Sequence, residues 1–319
     1  TNHRERSAFC ISVTQGDDLR PVVRSTWDQE RITPYGFDVA IADNTIGVQL
    51  AVSHQSAIYP FTFRDTTRPA TLIIRSENGR MTLRDGRAEG HQRISHNMRA
   101  YFFGELDTQA QQAGALRDGV VTGDQEAEGR NACVAYRFPA GTRQVQLRYG
   151  ISFISEQQAR RNLTRDQQGF DQGRVRAEGR RIWNEALGKI QVKGGSEDEK
   201  TVLYTSFYRT MERPVCLSED GRYFSGFDGK VHDDEGVPFY TDDWIWDTYR
   251  AAHPLRALIR PTEEEHIIAS YLRMAEQMGT KWMPTFPEMT GDTRRMNSNH
   301  GVAMVADAMW KGLQVDGEK

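Results

Sequence analysis

Features that would place this chain in several common functional classes are missing. The 319 residues carry a formal net charge of −3, so there is no basic excess of the kind that binds nucleic acids or anionic membranes. No apolar run approaches the roughly 18 residues of a membrane-spanning helix. We therefore expect neither a nucleic acid partner nor a membrane span.

Cysteine is scarce, and the short motifs of nucleotide and metal chemistry do not occur. The three cysteines, Cys10, Cys133 and Cys216, lie far apart in the sequence, which argues against a metal-ligand cluster and against a disulfide framework. The chain has no Gly-x-Gly-x-x-Gly motif, no zinc motif and no nucleophile elbow, so nucleotide binding has no support. What remains is a globular protein whose length favours two domains.

The first half of the sequence has the pattern of β-structure. Short apolar and β-branched segments are separated by turn residues such as Asp43-Asn44 and Asp85-Gly86, and residues 144–149 alternate apolar and polar positions. Many short strands without intervening helices are typical of an antiparallel sandwich. We predict this fold for residues 1–155 and interpret the polar stretch 107–131 as a long loop.

The hydrophobic period changes to that of a helix at about residue 156. Residues 156–195 read as a helical connector that begins at a cap from Ser155 and includes a strand at 189–193. Residues 196–319 read as a mainly helical domain, in which Ser196 precedes three acidic residues at a helix start. Within this domain we predict an extended loop over residues 217–239 and helices over residues 244–259, 262–278 and 299–311.

One stretch, residues 240–250, contains two tryptophans, two tyrosines, three aspartates and one arginine. A buried carboxylate without a partner is costly, whereas a fully solvated face would not carry two tryptophans. A sugar pocket needs this mixture, because aromatic faces stack on pyranose C–H groups and carboxylates accept hydrogen bonds from hydroxyls. The alternative is a core helix with a satisfied Asp–Arg pair, and the stretch alone does not decide between the two.

Other polar and aromatic segments also have two interpretations. Asp220-Gly221-Arg222-Tyr223 is either part of a pocket or a glycine-rich turn. Residues 282–301 offer either an aromatic wall with amide and imidazole groups, or a Pro-stiffened loop with Ser298 or Asn299 capping the next helix. Asp307 can orient His300 from two helical turns away, or pair with Lys311 as a surface salt bridge.

Glycoside hydrolysis by paired carboxylates is one chemistry that these acidic residues could serve. The candidates are Asp242, Asp243, Asp247 and Glu288. Sequence gives no distances between them, so no pair can be assigned.

A series of motifs runs in order along the chain. They are Trp183-Asn184-Glu185-Ala186-Leu187-Gly188, Asp220-Gly221-Arg222-Tyr223, Trp246-Asp247-Thr248-Tyr249-Arg250 with His253-Pro254-Leu255, and Ala306-Asp307-Ala308. Together they resemble glycoside hydrolase family 92, the calcium-dependent exo-acting α-mannosidases. The resemblance is strong from residue 150 onward and looser before it.

This resemblance implies a β + α two-domain fold, an N-terminal antiparallel β-supersandwich followed by the opening helices of an (α/α)6 barrel. It implies inverting hydrolysis of terminal α-linked mannose, commonly α-1,2 linked, in which a carboxylic acid protonates the leaving oxygen and a carboxylate activates water. It also implies calcium as a cofactor and a mannose-containing glycan as the substrate. We expect a periplasmic or extracellular location.

Carried over residue by residue, the resemblance makes Trp246 and Asp247 contacts of the terminal mannose. We add Arg250 as a residue that orients Asp247, and His300 as a further pocket candidate. The family's catalytic acid, base and calcium ligands lie in later barrel helices. We therefore expect the catalytic pair and the metal ligands beyond Lys319, and expect this chain to act with the remaining portion of the same enzyme.

Two other functions remain open from the sequence. One is a different inverting glycosidase, or a disaccharide phosphorylase, with the same two-domain plan. The other is a carbohydrate-binding remnant without catalysis.

Overall fold

The computed structural model describes residues 8–280, 282–296 and 299–317. The chain divides into two compact units, Thr1–Asn184 (unit 1) and Glu185–Lys319 (unit 2). The division falls within the segment predicted as a helical connector. Ser298, one of the two predicted helix caps, lies outside the described residues.

Unit 1 is built on one antiparallel sheet of 12 strands. In chain order the strands are β1 (Phe9–Thr14), β2 (Trp27–Thr33), β3 (Gly36–Ile41), β4 (Ile46–Val52), β5 (Ser56–Phe63), β6 (Ala70–Arg84), β7 (Arg87–Arg93), β8 (Arg99–Leu106), β9 (Gln112–Arg117), β10 (Val120–Val121), β11 (Glu126–Phe138) and β12 (Gln144–Ser152). Their order in space is β10-β9-β11-β6-β7-β8-β12-β5-β4-β3-β2, with β1 paired to β6. The predicted antiparallel β-fold is confirmed.

The sheet curls and packs against itself as a sandwich. Leu72 and Ile74 of β6 lie in the main core, whereas Ile73 between them belongs to a smaller core cluster on the other face of the strand. Val48 of β4 and Val134 of β11 come from distant positions in the sheet and meet in the same main core. A flat sheet could not bring these two residues together.

The prediction of a long loop over residues 107–131 was wrong, because this stretch contains β9, β10 and the start of β11. A Cβ atom on Gly114 of β9 would lie 1.8 Å from the carbonyl oxygen of Thr122. The strand therefore needs a glycine where it approaches the neighbouring backbone, and its neighbours Ala113 and Ala115 are also small. Strand prediction relies on bulky β-branched residues and misses such a segment.

Two helices follow the sheet, α1 (Glu156–Asp166) and α2 (Gln172–Leu187). Ser155 caps α1 as predicted, since its side chain accepts a hydrogen bond from the backbone N–H of Gln158. Asn162 of α1 is fully buried and donates to the carbonyl of Ile151 at 2.8 Å. This hydrogen bond ties α1 to β12.

Unit 2 is mainly helical, with short two-stranded ribbons between the helices. After the end of α2, its elements are α3 (Glu197–Arg209), β13 (Val215–Cys216), β14 (Arg222–Phe224), β15 (Val231–Asp233), β16 (Tyr240–Thr241), α4 (Ile245–Thr248), α5 (Ala252–Ile259), α6 (Pro261–Gln277), β17 (Pro287–Glu288), β18 (Gly291–Asp292) and α7 (His300–Trp310). The predicted helices at 262–278 and 299–311 are confirmed. Ser196 forms a capping box with Glu199 at the start of α3, also as predicted.

Three predictions in this part of the chain need correction. Residues 189–193 form no strand and are held instead by the hydroxyl of Tyr204, which donates to the carbonyl of Ile190 at 2.9 Å. Residues 217–239 are not simply an extended loop, because β14 and β15 pair there as a hairpin. The helix predicted at 244–259 is interrupted between α4 and α5.

Pro254 explains this interruption. In a continuous helix its ring would clash with the carbonyl of Arg250, four residues earlier. The chain avoids the clash by starting α5 at Ala252, which puts Pro254 in the first turn, where no intrahelical N–H donor is required.

The core of unit 2 forms where α4, α6 and α7 pack together, through Ile245, Ile267, Ile268, Tyr271, Met304 and Ala308. Other apolar side chains of the helices stay exposed, namely Val202, Leu203, Leu258, Val302, Met309 and Trp310. Helices that carry apolar side chains on more than one face are typical of layered helical arrays.

Gly150 of β12 provides a test of how closely α1 packs on the sheet. A Cβ atom there would lie 2.2 Å from the carbonyl oxygen of Ala159 in α1. We predict that Gly150→Ala lowers the free energy of unfolding by about 1–3 kcal/mol, because the helix must move away from the strand. Thermal and urea unfolding measure the change.

Gly47→Ala in β4 is the matched control for this prediction. Its Cβ atom would be 3.7 Å from the nearest side chain, an ordinary contact. We expect its stability to stay within about 1 kcal/mol of the parent protein. Equal unfolding midpoints for the two variants would contradict the close contact at Gly150.

Candidate active site

A single helical turn, α4, carries two of the four residues predicted to bind sugar, Trp246 and Asp247. Ile245 is fully buried in the core of unit 2, whereas Trp246 and Asp247 are exposed. Trp246 leaves 47% of its surface accessible, which is far more than a core tryptophan shows. The core-helix interpretation therefore describes Ile245 but not Trp246 or Asp247.

The three aspartates of this stretch have different surroundings. Asp242 is buried in a left-handed conformation, with φ of 62°, and its carboxylate pairs with Arg213 at 2.5 Å. Asp243 is fully buried. Asp247 is exposed, and nothing within the described residues donates a hydrogen bond to its carboxylate or pairs with it. Asp247 is therefore the acid of the three that is available to an external ligand.

Asp243 belongs to a buried polar network centred on His253 of α5. His253 Nε2 lies 2.8 Å from Asp243 Oδ2, and His253 Nδ1 lies 2.8 Å from Glu264 Oε1. The hydroxyl of Tyr271 donates to Asp243 Oδ2 at 2.9 Å, and that of Thr248 donates to Asp243 Oδ1 at 2.8 Å. The network thus connects Asp243, two residues before α4, with the last residue of α4 and with helices α5 and α6.

Each ring nitrogen of His253 faces a carboxylate oxygen, an arrangement that a ring protonated on both nitrogens satisfies, and Arg256 Nη1 also lies 3.2 Å from Nδ1. Burial alone would lower the pKa of His253, but the carboxylates of Asp243 and Glu264 outweigh it and raise the pKa to about 9. For Asp243, burial acts to raise the pKa. The charge of His253 and the hydrogen bonds from His253, Thr248 and Tyr271 nevertheless hold that pKa below its usual range. At neutral pH the pair is an imidazolium and a carboxylate.

Arg256 supplies the second positive charge of the network. One guanidinium nitrogen donates to Glu264 Oε2 at 3.1 Å, and another donates to the backbone carbonyls of Thr210 and Arg213 at 3.1 and 3.0 Å. The Nε atom of Arg256 also lies 3.5 Å from Glu263 Oε1, so the network includes Glu263 as a further acid beside Asp243 and Glu264. The network also ties α5 and α6 to the segment that follows α3.

The other two predicted site residues are Arg250, which follows Tyr249 in the sequence, and His300, which contacts the ring of Tyr249. Arg250 is exposed, and within the described residues no hydrogen bond or ion pair joins it to Asp247. His300 begins α7 and packs against Tyr249, with ring centroids 4.1 Å apart and ring planes at 56°. The Nδ1 atom of His300 is buried and has no hydrogen-bond partner among the described residues.

The remaining polar candidates have structural partners. Glu288 pairs with Arg295 at 3.5 Å. Asp307 pairs with Lys311, as one of the two sequence interpretations proposed. Asp220 has a left-handed φ of 50° in the turn before the β14–β15 hairpin, so the turn interpretation describes this segment.

Sequence patterns did not reveal the network around His253. Its members Asp243, His253 and Glu264 are separated by 10 and 11 residues and by a helix break, so no helical period connects them. One signal was present in α6, where Glu264 shares a helical face with Ile267, Ile268 and Tyr271. An acid on an otherwise apolar face needs a buried partner.

The described part of the chain contains neither a cluster of metal-ligating side chains nor a membrane-spanning helix. There, no group of three or more His, Cys, Asp or Glu side chains is arranged to hold a metal ion. No helix described by the structure is long and apolar enough to cross a membrane.

The raised pKa of His253 predicts how stability depends on pH. A group whose pKa rises from 6.5 to about 9 on folding stabilises the protein fully below pH 6.5, and this stabilisation is lost as the pH rises through 9. The shift corresponds to about 3 kcal/mol. We predict that the melting temperature falls between pH 7 and pH 10. His253→Gln should melt lower at pH 7 and show a shallower decline.

His232→Gln is the matched control for this prediction. His232 is partly exposed and pairs with Asp228 at 2.9 Å, so its replacement should leave the slope between pH 7 and 10 unchanged. Parallel pH profiles for the parent protein and His253→Gln would show that His253 does not carry the charge assigned to it.

The chain is similar to known glycoside hydrolases. Residues 10–152 match the glycosyl hydrolase family 92 N-terminal domain, and residues 158–319 match the glycosyl hydrolase family 92 catalytic domain. An uncharacterized secreted glycosidase of Arthroderma benhamiae is 33% identical over 99 residues, which cover 27% of this chain and 13% of that protein.

Solved structures show the same architecture. A family GH92 inverting mannosidase from Bacteroides thetaiotaomicron VPI-5482 is 25% identical with a TM-score of 0.85, over 97% of this chain and 44% of the other. A family GH92 α-mannosidase from Bacteroides thetaiotaomicron in complex with mannoimidazole is 23% identical with a TM-score of 0.86, over the same shares. A bacterial glucoamylase complexed with acarbose shares the fold at 8% identity and a TM-score of 0.57, over 95% of this chain and 50% of that chain.

This chain thus spans less than half the length of the two family GH92 structures. The two family models together cover both of its units. The resemblance in the motifs is confirmed, and the chain belongs to glycosyl hydrolase family 92.

Proposed function

We propose that this chain supplies the binding surface for the terminal sugar in an exo-acting, inverting α-mannosidase. The substrate is a glycan that ends in α-linked mannose, with α-1,2 linkage as the preferred case. The observation that carries the proposal is the exposed pair Trp246 and Asp247 on a turn whose inner side is tied to buried groups. Membership of family 92 supports the same reaction.

The two side chains suit complementary parts of a mannose ring. The indole face of Trp246 packs against the C–H groups of the pyranose, and the Asp247 carboxylate accepts hydrogen bonds from adjacent hydroxyls. Arg250 and His300 would add donors near this surface, with the buried Nδ1 of His300 still unbonded among the described residues. Stacking and directional hydrogen bonds together select one face and one end of the sugar.

Acid–base chemistry is assigned to other residues of the enzyme. An inverting mechanism needs two carboxyl groups roughly 6.5–9.5 Å apart, with space for water between the base and the sugar. Asp242 and Asp243 are buried and pair with Arg213 and His253, respectively. Glu288 pairs with Arg295. These acids stabilise the fold around the turn, so we assign to the described residues a role in binding the sugar.

We also propose a periplasmic or extracellular location for the enzyme. The secreted glycosidase of Arthroderma benhamiae supports this location. In that location an exo-acting enzyme would have access to glycans that end in mannose.

Replacement of Asp247 tests the binding surface. We predict that Asp247→Ala in the full-length enzyme lowers kcat/KM on α-1,2-mannobiose by about 10- to 100-fold, because a hydrogen bond to a charged group contributes about 1.5–3 kcal/mol. The measurement is release of free mannose. Asp18→Ala is the control, since Asp18 is an exposed acid paired with Arg20, and its turnover should match that of the parent enzyme.

Three results would contradict the proposal. Normal turnover by Asp247→Ala would remove this residue from the site. Release of a sugar 1-phosphate that depends on phosphate would indicate a phosphorylase, and mannose binding without turnover by the full-length protein would indicate a carbohydrate-binding protein.

Calcium dependence is a separate prediction from family membership. We predict that a calcium chelator abolishes mannose release by the full-length enzyme and that added Ca²⁺, but not Mg²⁺, restores it, because Ca²⁺ accepts a flexible shell of sugar and carboxylate oxygens. The melting temperature of the full-length protein should also rise when Ca²⁺ is returned. Unchanged activity and stability after chelation would exclude the metal.

A further inference from the structure

We propose that His253 is a positioning residue for the terminal sugar. Through Asp243 and Thr248 it fixes the turn that presents Trp246 and Asp247. The effect of His253 on catalysis rests on the proposed function. Its effect on the position of the turn concerns the described residues alone.

The turn needs support from outside its own backbone. α4 contains four residues, and its N-cap residue Trp244 makes no side-chain capping hydrogen bond. An isolated helix of this length is unstable, because nucleation fixes several dihedral angles for one hydrogen bond. The position of Trp246 and Asp247 therefore depends on contacts made by the inner face of the turn.

Two residues form that inner face. Ile245 and Thr248 are three positions apart and lie on the same side of the turn, opposite the exposed Trp246 and Asp247. Ile245 is fully buried, but an apolar contact is not directional. The Thr248 hydroxyl donates to Asp243 Oδ1 at 2.8 Å and so sets the rotation of the turn about its own axis.

Asp243 is held so that this oxygen points at Thr248. Its other oxygen receives both His253 Nε2 and the hydroxyl of Tyr271, at 2.8 and 2.9 Å. Its backbone N–H donates to the carbonyl of Pro287 at 3.1 Å. These contacts fix the orientation of the Asp243 carboxylate, and its Oδ1 atom accepts the hydrogen bond from Thr248.

His253 can hold Asp243 in this way only while it is itself bonded on its other side. Glu264 accepts from His253 Nδ1 and receives Arg256 on its second oxygen. Loss of the imidazolium charge would leave a ring lone pair either at Nε2, against Asp243, or at Nδ1, where Arg256 Nη1 lies 3.2 Å away and would be drawn from Glu264. The charged His253 is thus the central group in the path from α6 to the turn.

Substitutions at Thr248 test the path without removing a buried charge. Thr248→Val keeps the shape of the side chain and removes the hydroxyl donor, whereas Thr248→Ser keeps the donor. In the full-length enzyme we expect Thr248→Val to lower kcat/KM on α-1,2-mannobiose by about 10-fold, which corresponds to one hydrogen bond, with most of the change in KM. Thr248→Ser should recover at least half of the parent value.

Thr201→Val is the matched control on another helix. The hydroxyl of Thr248 lies 3.1 Å from the backbone carbonyl of Trp244, four residues earlier, as well as close to Asp243. The hydroxyl of Thr201 likewise donates to the carbonyl four residues earlier, that of Glu197 at 2.8 Å, but it has no part in the network. We expect its kcat and KM to equal those of the parent enzyme. A general effect of replacing threonine by valine in a helix would appear in both variants.

Amide hydrogen exchange separates this inference from the proposed function. In Thr248→Val the amides of residues 245–250 should exchange at least 10-fold faster than in the parent protein, while the melting temperature changes little. If the parent enzyme hydrolyses no mannoside, the proposed function fails, yet faster exchange would still support the positioning of the turn. Unchanged exchange in these amides would overturn the inference, and so would normal KM in an active Thr248→Val enzyme.

Discussion

A protonated histidine held between two buried carboxylates is the interaction on which the candidate site depends. Bringing these charges out of water costs several kcal/mol for each ion, and attraction between His253 and Asp243 offsets this only when the other polar atoms are also bonded. Tyr271 and Thr248 satisfy Asp243, and Arg256 satisfies Glu264. Because the network is complete, removing one of its charged members, such as His253, would leave a buried charge unpaired, at a cost of about 3–5 kcal/mol.

The network also determines how the elements of unit 2 meet. Apolar contacts among α4, α6 and α7 bring these elements together, but many similar packings would bury comparable area. Hydrogen bonds have narrow geometric requirements, so a connected set of them selects one arrangement. Arg256 extends this selection to the segment after α3 through the carbonyls of Thr210 and Arg213.

Local signals in the sequence predicted much of the architecture. Alternation over residues 144–149 corresponds to β12, and the caps at Ser155 and Ser196 mark the starts of α1 and α3. The sequence did not predict features that depend on contacts with other segments of the chain. The glycine in β9 is required because the backbone of Thr122 approaches it closely. The break before α5 is a different case, because its local signal, Pro254, was present in the sequence and was missed.

The candidate site shows the same limit. Composition identified residues 240–250 as a site of interest, because aromatics and acids occur there together. It could not distinguish Asp242 from Asp247, since only the fold places Arg213 beside one and solvent beside the other. His253 and Glu264 were not recognised as a pair, because their contact joins two helices.

The different roles of the aspartates follow from two conflicting needs of a binding surface. A carboxylate that accepts hydrogen bonds from a sugar needs an accessible oxygen in the free protein, and Asp242 is buried beside Arg213. An unpaired, exposed side chain such as Asp247 has no partner of its own to hold it. Its position must come from the backbone beneath it, and that backbone is fixed one residue later, where Thr248 donates to Asp243.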